Sequence, residues 1–378
     1  MRIGIDFTAA ITQGAGIGRY TRNLVAALAR LDTDDRFTLF SAERPIPGRD
    51  FPTAPNFHSR VYNISNRYMT ILWHRLRLPI PVELFTGPVD VFHGPDFVLP
   101  PVLRARSVVT IHDIAFLTNP ECAMPSLAAY LSVVVPRAAR AADRIITVSQ
   151  ATANDLTKQL AIPAEKISVI YPGLEPRFTP DRDEAAIETL RAKYGIERPS
   201  ILAVSTIEPR KNYERLIAAF AQAMHEPDGP MMLVIAGRKG WLYDGVFEAV
   251  EKLQLGERVK FLDYVSDAEL PLLYKVADVL AMPSISEGFG IPVAEAMASG
   301  TPVVCSTGGS LPEIAGGAAL TVDPYDIDGL AAALLRLTRD TALRETLILR
   351  GLERVKAFSW EHSARAHLDI YQALSTRH

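Results

Sequence analysis

Two carboxylates eight positions apart, Glu287 and Glu295, stand in the stretch PSISEGFGIPVAEAMASGTPVV, with Gly288, Gly290 and Pro292 between them. The apolar run 278–282 before them suits a buried parallel strand, which Pro283 and Ser284 end. Pro292 suits the first turn of a helix and Gly300 its termination. Glu287 is therefore expected before the helix and Glu295 in its first turn. The backbone N–H groups around Ile291 to Ala294 then lack intrahelical partners and sit at the positive end of the helix dipole, where a phosphate is welcome. Carboxylates repel phosphate, so their part is to accept hydrogen bonds from hydroxyls on either side of it, a ribose and a hexose for example. Alternatively Glu295 complements the dipole and Glu287 is a solvated loop residue.

Arg210 and Lys211, in STIEPRKN, follow the apolar run ILAVST and precede a helical pattern. An arginine fork and a lysine point charge suit a pyrophosphate, although a charge pair on a loop can be merely solvated. His112 and Asp113 directly follow SVVTI, and Ser149 directly follows RIITV. All three point to one sheet edge, beyond the carboxyl ends of parallel strands, where ligands bind. Ser149 equally fits an N-cap for a helix over 150–160, and His112 equally fits a structural role. Gly14, Gly16 and Gly18 form a G-x-G-x-G run that fits a dinucleotide loop poorly and a mobile surface turn or a close backbone approach better.

The elements that must position these groups alternate. Strands are expected at 2–7, 36–41, 90–93, 107–111, 144–148 and 167–170, with helices at 19–31, 125–142 and 150–160. A charged, proline-punctuated stretch at 177–198 marks a boundary, after which alternation resumes: strands 201–205, 231–236 and 259–262, helices 213–224, 244–253 and 267–276. Such alternation gives parallel sheets covered by helices, here two doubly wound halves. Residues 63–79 mix arginines with Tyr68, Trp73 and leucines; the pattern suits a helix packed on its own domain or one touching anionic lipid.

The chain of 378 residues is 48% hydrophobic and 22% charged, with net charge −3, which is globular and lacks the basic field of a nucleic-acid binder. Its two cysteines, Cys122 and Cys305, allow neither a disulfide framework nor a zinc spacing. With no signal-peptide pattern at MRIGIDF and no membrane-length apolar run, a cytoplasmic protein is expected, peripheral at the membrane if residues 63–79 touch lipid.

The E-x7-E segment, together with THDI, the glycine loop and the Arg-Lys pair, resembles the retaining glycosyltransferases of family 4, with the GT-B fold. The resemblance implies two Rossmann-like domains, 1–172 on the acceptor side and 173–358 on the nucleotide-sugar side, facing across a cleft, with a last helix, 359–378, crossing back. It implies hexose transfer from a nucleotide diphosphate sugar to a hydroxyl of a glycan or lipid-linked glycan, without metal or other cofactor. Arg210 and Lys211 would hold the pyrophosphate, Glu287 the hexose hydroxyls and Glu295 the ribose, with Phe289 and Gly290 amides fixing the sugar and Ile291 and Val293 beside the phosphate. Gly14 and Gly16 would lie over the donor, His112 would hydrogen-bond the hexose, and Arg238, Tyr264 and Val265 would surround the base. Glu313, in GGSLPE, would border the donor, unless Ser310 and Glu313 form only a capping box. Same-face attack assisted by the leaving phosphate is preferred to a carboxylate nucleophile, for which Asp113 is the residue to question. The N-terminal FTAAITQGAGIGRY resembles mannosyltransferases of bacterial polysaccharide assembly, which implies GDP-mannose. An epimerase, a phosphorylase and a non-catalytic sugar-nucleotide-binding module share the same fold and stay as alternatives.

Overall fold

The computed structural model describes residues 1–14 and 16–376. Ala15, inside the glycine run, and Arg377 and His378, at the end of the expected last helix, lie outside the described residues. The chain divides into two compact units. The first comprises Met1–Ile114, Ser126–Gly173 and the chain from Phe358 onward; the second comprises Ala115–Pro125 and Leu174–Ala357.

The first unit holds a seven-stranded parallel sheet made of β1 (Arg2–Asp6), β2 (Arg36–Ser41), β3 (Phe57–Val61), β4 (Val91–Gly94), β5 (Arg106–Ile111), β6 (Arg144–Thr147) and β7 (Ile167–Val169). Their order is β3-β2-β1-β4-β5-β6-β7. From β1 the chain steps outward to β2 and β3, then returns to β4 on the other side, so the topological switch lies between β1 and β4. Ile3, Ile5, Phe37 and Val91 are fully buried, as strands covered on both faces must be.

The helix Trp360–Ser375 packs on the helix Ile17–Leu28 of the same unit. Between it and the sheet lies a buried polar chain. The Tyr20 hydroxyl is 3.0 Å from His367 Nε2, and His93 lies 2.7 Å from the Tyr371 hydroxyl and 2.8 Å from Thr110 Oγ1. His367 Nδ1 donates to the Ser363 carbonyl at 2.7 Å, so its Nε2 is the acceptor of the Tyr20 hydroxyl. Trp360 starts the helix against Gly173, where an added Cβ would come within 2.5 Å of the indole.

The second unit holds six parallel strands, β8 (Ser200–Val204), β9 (Met232–Ala236), β10 (Val259–Phe261), β11 (Val279–Met282), β12 (Val303–Ser306) and β13 (Leu320–Val322). Their order, β10-β9-β8-β11-β12-β13, puts the switch between β8 and β11. Its core joins Ile201, Leu216, Phe220, Leu233, Ile235, Val279, Leu334 and Leu337.

Several described segments differ from the sequence expectation, among them β3 and the stretches 177–198 and 63–79. β3 was not foreseen, because its pattern is one buried residue followed by four exposed ones, as an edge strand allows. The stretch expected to be only a charged connection contains the helix Glu184–Tyr194, capped by Asp183, which accepts from the Ala186 amide at 3.1 Å and buries Ile187 and Leu190. In the stretch 63–79, a short helix Asn66–Thr70 runs into a π-helical turn Ile71–Arg75. Met69 and Trp73 turn inward to a cluster with Phe40, Val82 and Phe92, and Trp73 donates to the Ile80 carbonyl at 2.8 Å. Packing therefore accounts for its apolar side; Tyr68 and Leu76 remain exposed. Among the described residues no helix is long and apolar enough to cross a membrane.

Candidate active site

The loops that follow β8 and β11 meet at the switch of the second sheet. Asn212, in the left-handed region with φ 61°, starts the helix Tyr213–Met224 and donates through Nδ2 to the carbonyls of Pro283 (3.0 Å) and Pro324 (2.6 Å). The Ile285 amide donates to the Arg210 carbonyl at 2.8 Å. These bonds turn the Arg210–Lys211 corner toward Glu287.

Glu287 accepts from Arg210 Nη1 at 2.8 Å on one oxygen and from Lys211 Nζ at 2.6 Å on the other. Arg210 also binds Glu208 at 2.9 Å and the Ser286 carbonyl at 2.8 Å. Burial alone would raise the Glu287 pKa; the charges of Arg210 and Lys211 and the Lys211 hydrogen bond outweigh it and bring the carboxyl down from 4.5 to about 2. Sequence reasoning placed Glu287 apart from the two cations, whereas the structure makes one ion cluster of them, with Glu208 as an unforeseen fourth member. Arg210 is its most open member, with 19% of its side chain exposed against 11% for Lys211 and 8% for Glu287.

Gly308 and Gly309 let a second loop lie flat on the Glu287 turn. Gly309 has φ 59°, and a Cβ there would stand 2.6 Å from the Glu287 amide nitrogen; the next amide, of Ser310, donates to the Glu287 carbonyl at 3.0 Å. Gly309→Ala is expected to lower stability by about 1–3 kcal/mol and to reduce turnover through displacement of Glu287, read from thermal unfolding and initial rates. The expected capping box is absent in this form: Ser310 makes no side-chain cap, although Glu313 does lie half-buried in the first turn of the helix Leu311–Ala315.

Gly290, with φ 89°, precedes the helix Ile291–Ala298, and a Cβ there would stand 2.6 Å from Leu311. The expected row of free amides is shorter than sequence implied, because Pro292 has no N–H and Val293 donates to the Gly290 carbonyl at 3.0 Å. Phe289 and Val293 are buried, Ile291 half-buried, and Gly288 joins Glu287 to Phe289 in the turn. Glu295 falls beyond the first turn, only 2% exposed, with its Oε2 accepting from the Tyr274 hydroxyl at 2.8 Å. That position corrects the expectation of a first-turn carboxylate complementing the dipole.

Beyond β9 and β10, the Arg238 guanidinium lies 4.6 Å over the ring of Tyr264, which is 54% exposed, and Val265 is buried beside it. Both residues project from the same sheet edge as Arg210. Such an exposed stacked pair offers a flat face of the kind a planar ring uses.

The first unit carries the remaining predicted residues. His112 Nε2 lies 2.8 Å from the Pro95 carbonyl, which can only accept, so Nε2 carries the proton and Nδ1 is the acceptor. Burial lowers the pKa of this imidazole, against the opposing effects of Pro95 and Asp113. The His112 carbonyl accepts from Thr152 Oγ1 at 3.1 Å. Ser149 caps the helix Gln150–Leu160, accepting from the Thr152 amide at 3.1 Å, so its structural role is occupied. Asp113 is half-buried next to His112. Gly14 offers its carbonyl to Arg22 at 3.2 Å, and Gly16, with φ 53°, precedes the helix Ile17–Leu28. Among the described residues, no three His, Cys, Asp or Glu side chains converge as a metal site.

Two family profiles match the chain: "Glycosyltransferase Family 4" over residues 14–178 and "Glycosyl transferases group 1" over residues 186–354. Among solved structures, sucrose-phosphate synthase from Thermosynechococcus elongatus is similar with TM-score 0.77 and 22% identity, covering 99% of each chain. Anabaena Alr3699/HepE, in complex with UDP and glucose, is similar with TM-score 0.77 and 21% identity over 99% of this chain and 100% of that one. These likenesses and the two doubly wound parallel sheets define the GT-B fold. The O-antigen chain mannosyltransferase B of Escherichia coli is 31% identical over 369 residues, 95% of this chain and 96% of that relative. The chain belongs to the GT-B glycosyltransferase family.

Proposed function

We propose that the chain is a retaining, family 4 mannosyltransferase that moves mannose from GDP-mannose to a hydroxyl of a glycan or lipid-linked glycan. The observation that carries this reading is the cluster of Arg210, Lys211 and Glu287 beside the start of the helix Ile291–Ala298. Departure of a nucleoside diphosphate builds negative charge, and cations already aimed by a buried carboxylate stabilise that charge without reorganising. Two side-chain cations and a helix start supply this stabilisation from the protein itself, so we include independence of divalent metal in the proposal. The similarity to a mannosyltransferase along nearly the whole chain supports mannose as the transferred sugar.

Glu295, Arg238, Tyr264 and Val265 remain the proposed ribose and base contacts. His112, protonated on Nε2, offers Nδ1 to a hexose hydroxyl, and attack occurs on the face from which the phosphate leaves. A peripheral membrane contact fits a lipid-linked acceptor and uses the exposed side of the stretch 63–79, with Arg67, Tyr68, Arg75, Leu76 and Arg77. The deciding experiment is a calorimetric screen of GDP and UDP sugars in EDTA, followed by product anomer analysis by NMR. GDP-mannose is expected to bind most tightly and to yield an α-mannoside. Tighter binding of a UDP sugar, or binding that depends on a divalent cation, would refute the corresponding part.

A further inference from the structure

A cavity of about 200 Å³ opens in the first unit at the switch between β1 and β4. Its lining includes Asp6, which ends β1, Asp96, two residues beyond β4, and Thr70, Trp73, His74 and Tyr130. This is the place where a doubly wound sheet presents a crevice, and no residue of the Arg210 cluster belongs to it. It is smaller than the roughly 300–1,000 Å³ of ordinary small-molecule pockets and suits a single ring.

The carboxyls are held in place rather than neutralised. Asp6 Oδ1 accepts from the Thr8 amide at 2.9 Å, and Asp96 Oδ2 accepts from Gln13 Nε2 at 3.1 Å, which leaves the second oxygen of each as an acceptor. Burial, then the charge of Asp6, pushes the Asp96 carboxyl up to about 6. Burial raises Asp6 as well, against its bonds to Thr8. His74 does not compensate them, since burial and then Arg137 bring it down to about 4 and keep it neutral. Arg137 acts on His74 and Arg75 on Tyr130, yet neither arginine lines the cavity. Trp73, its N–H engaged by Ile80, contributes ring carbons. Phe97, also in the lining, holds φ 60°, a conformation a bulky residue adopts only where its surroundings impose it.

Two buried carboxyls lining one small cavity disfavour a further anion and favour hydroxyl donors, and the flanking aromatic carbons suit the apolar face of a pyranose. We propose that this cavity binds the acceptor, and that the acceptor offers it an uncharged, hydroxyl-bearing sugar residue rather than a phosphorylated one. The inference rests on glycosyl transfer only in taking the occupant to be the acceptor.

The test is saturation-transfer NMR on the full chain with the methyl α-glycosides of mannose, glucose and galactose and with the corresponding hexose 6-phosphates. At least one methyl glycoside is expected to receive saturation, with its 6-phosphate bound at least about tenfold more weakly. Asp96→Asn is expected to weaken the glycoside at least about tenfold and to narrow the discrimination against phosphate. Tyr130→Phe provides a second variant should Asp96→Asn fail to fold, and is expected to weaken the glycoside measurably. Preference for a 6-phosphate, unchanged glycoside binding in both variants, or no saturation from any glycoside would each overturn the proposal. The calorimetric screen of nucleotide sugars on the same protein reads the other site, so loss of nucleotide binding with retained NMR signals would refute the donor reading alone.

Discussion

Replacement of Glu287 by alanine is expected to lower stability by about 3–5 kcal/mol and transfer activity by at least about a hundredfold. The carboxylate is 8% exposed and holds two cations. Its removal takes from Lys211 its carboxylate partner and leaves Arg210 with Glu208 alone, and the buried charge left behind dominates the cost. Lys211→Met is expected to cost less, because Arg210 still neutralises Glu287. Urea denaturation of both variants checks the order, and equal losses would refute it. A pH dependence follows from the same cluster. A carboxyl brought down from 4.5 to about 2 contributes stability in full above about 4.5, and loses it as pH falls toward 2. At about 1.4 kcal/mol per unit this amounts to about 3 kcal/mol, and Glu287→Gln should flatten that part of the profile.

Acidification from pH 6.5 to 4 is expected to destabilise the first unit by at least about 3 kcal/mol, well before Glu287 titrates. Burial lowers His367 from 6.5 to about 4 and His93 well below 6.5. A depressed imidazole is neutral when folded and takes up a proton more readily when unfolded. Its contribution is therefore complete above about 6.5 and is lost as pH falls through that window. His367 and His74, each brought down from 6.5 to about 4, contribute about 3 kcal/mol apiece at about 1.4 kcal/mol per unit, and the rise of Asp96 to about 6 offsets one of these contributions. The polar groups facing His367 are the Tyr20 hydroxyl and the Ser363 carbonyl, with His93 and Tyr371 next in the chain of rings, so among the described residues no carboxylate is at hand to stabilise an imidazolium. Urea midpoints for wild type and His367→Gln between pH 4 and 7.5 test this; equal slopes would refute it.

The sheets were legible because strand 279–282 is apolar along its length and strand 36–41 carries Phe37, Leu39 and Phe40, and the helix Ile17–Leu28 because Tyr20, Leu24, Ala27 and Leu28 recur at helical spacing. β3 was not, since an edge strand with four exposed residues leaves no periodic trace. The helix Glu184–Tyr194 was hidden by its charges, although Asp183 followed by Ile187 and Leu190 is a cap with a short apolar stripe. At the site, residue types pointed to Arg210, Lys211 and Glu287 one by one. Their pairing spans 76 or 77 positions and follows from β8 lying next to β11, which local patterns do not encode. Asp6 and Asp96 were missed for the same reason, although Asp6 ends β1 and Asp96 lies two residues beyond β4, at the same kind of strand end as His112. His367 was passed over because it is a buried polar residue in an otherwise apolar stripe, beside Leu368, which is only half-buried.

Neither compact unit is continuous in sequence; the chain passes from one to the other four times, at 114, 125, 173 and 357. On the ribosome the second unit is therefore fully synthesised before the first has received its closing helix. Until Tyr371 and His367 emerge, His93 and Tyr20 lack those hydrogen-bond partners, so the lobe built around β1 is completed after the other. A stop codon just after 357 would then harm the half of the protein made earliest, while sparing the half made most recently.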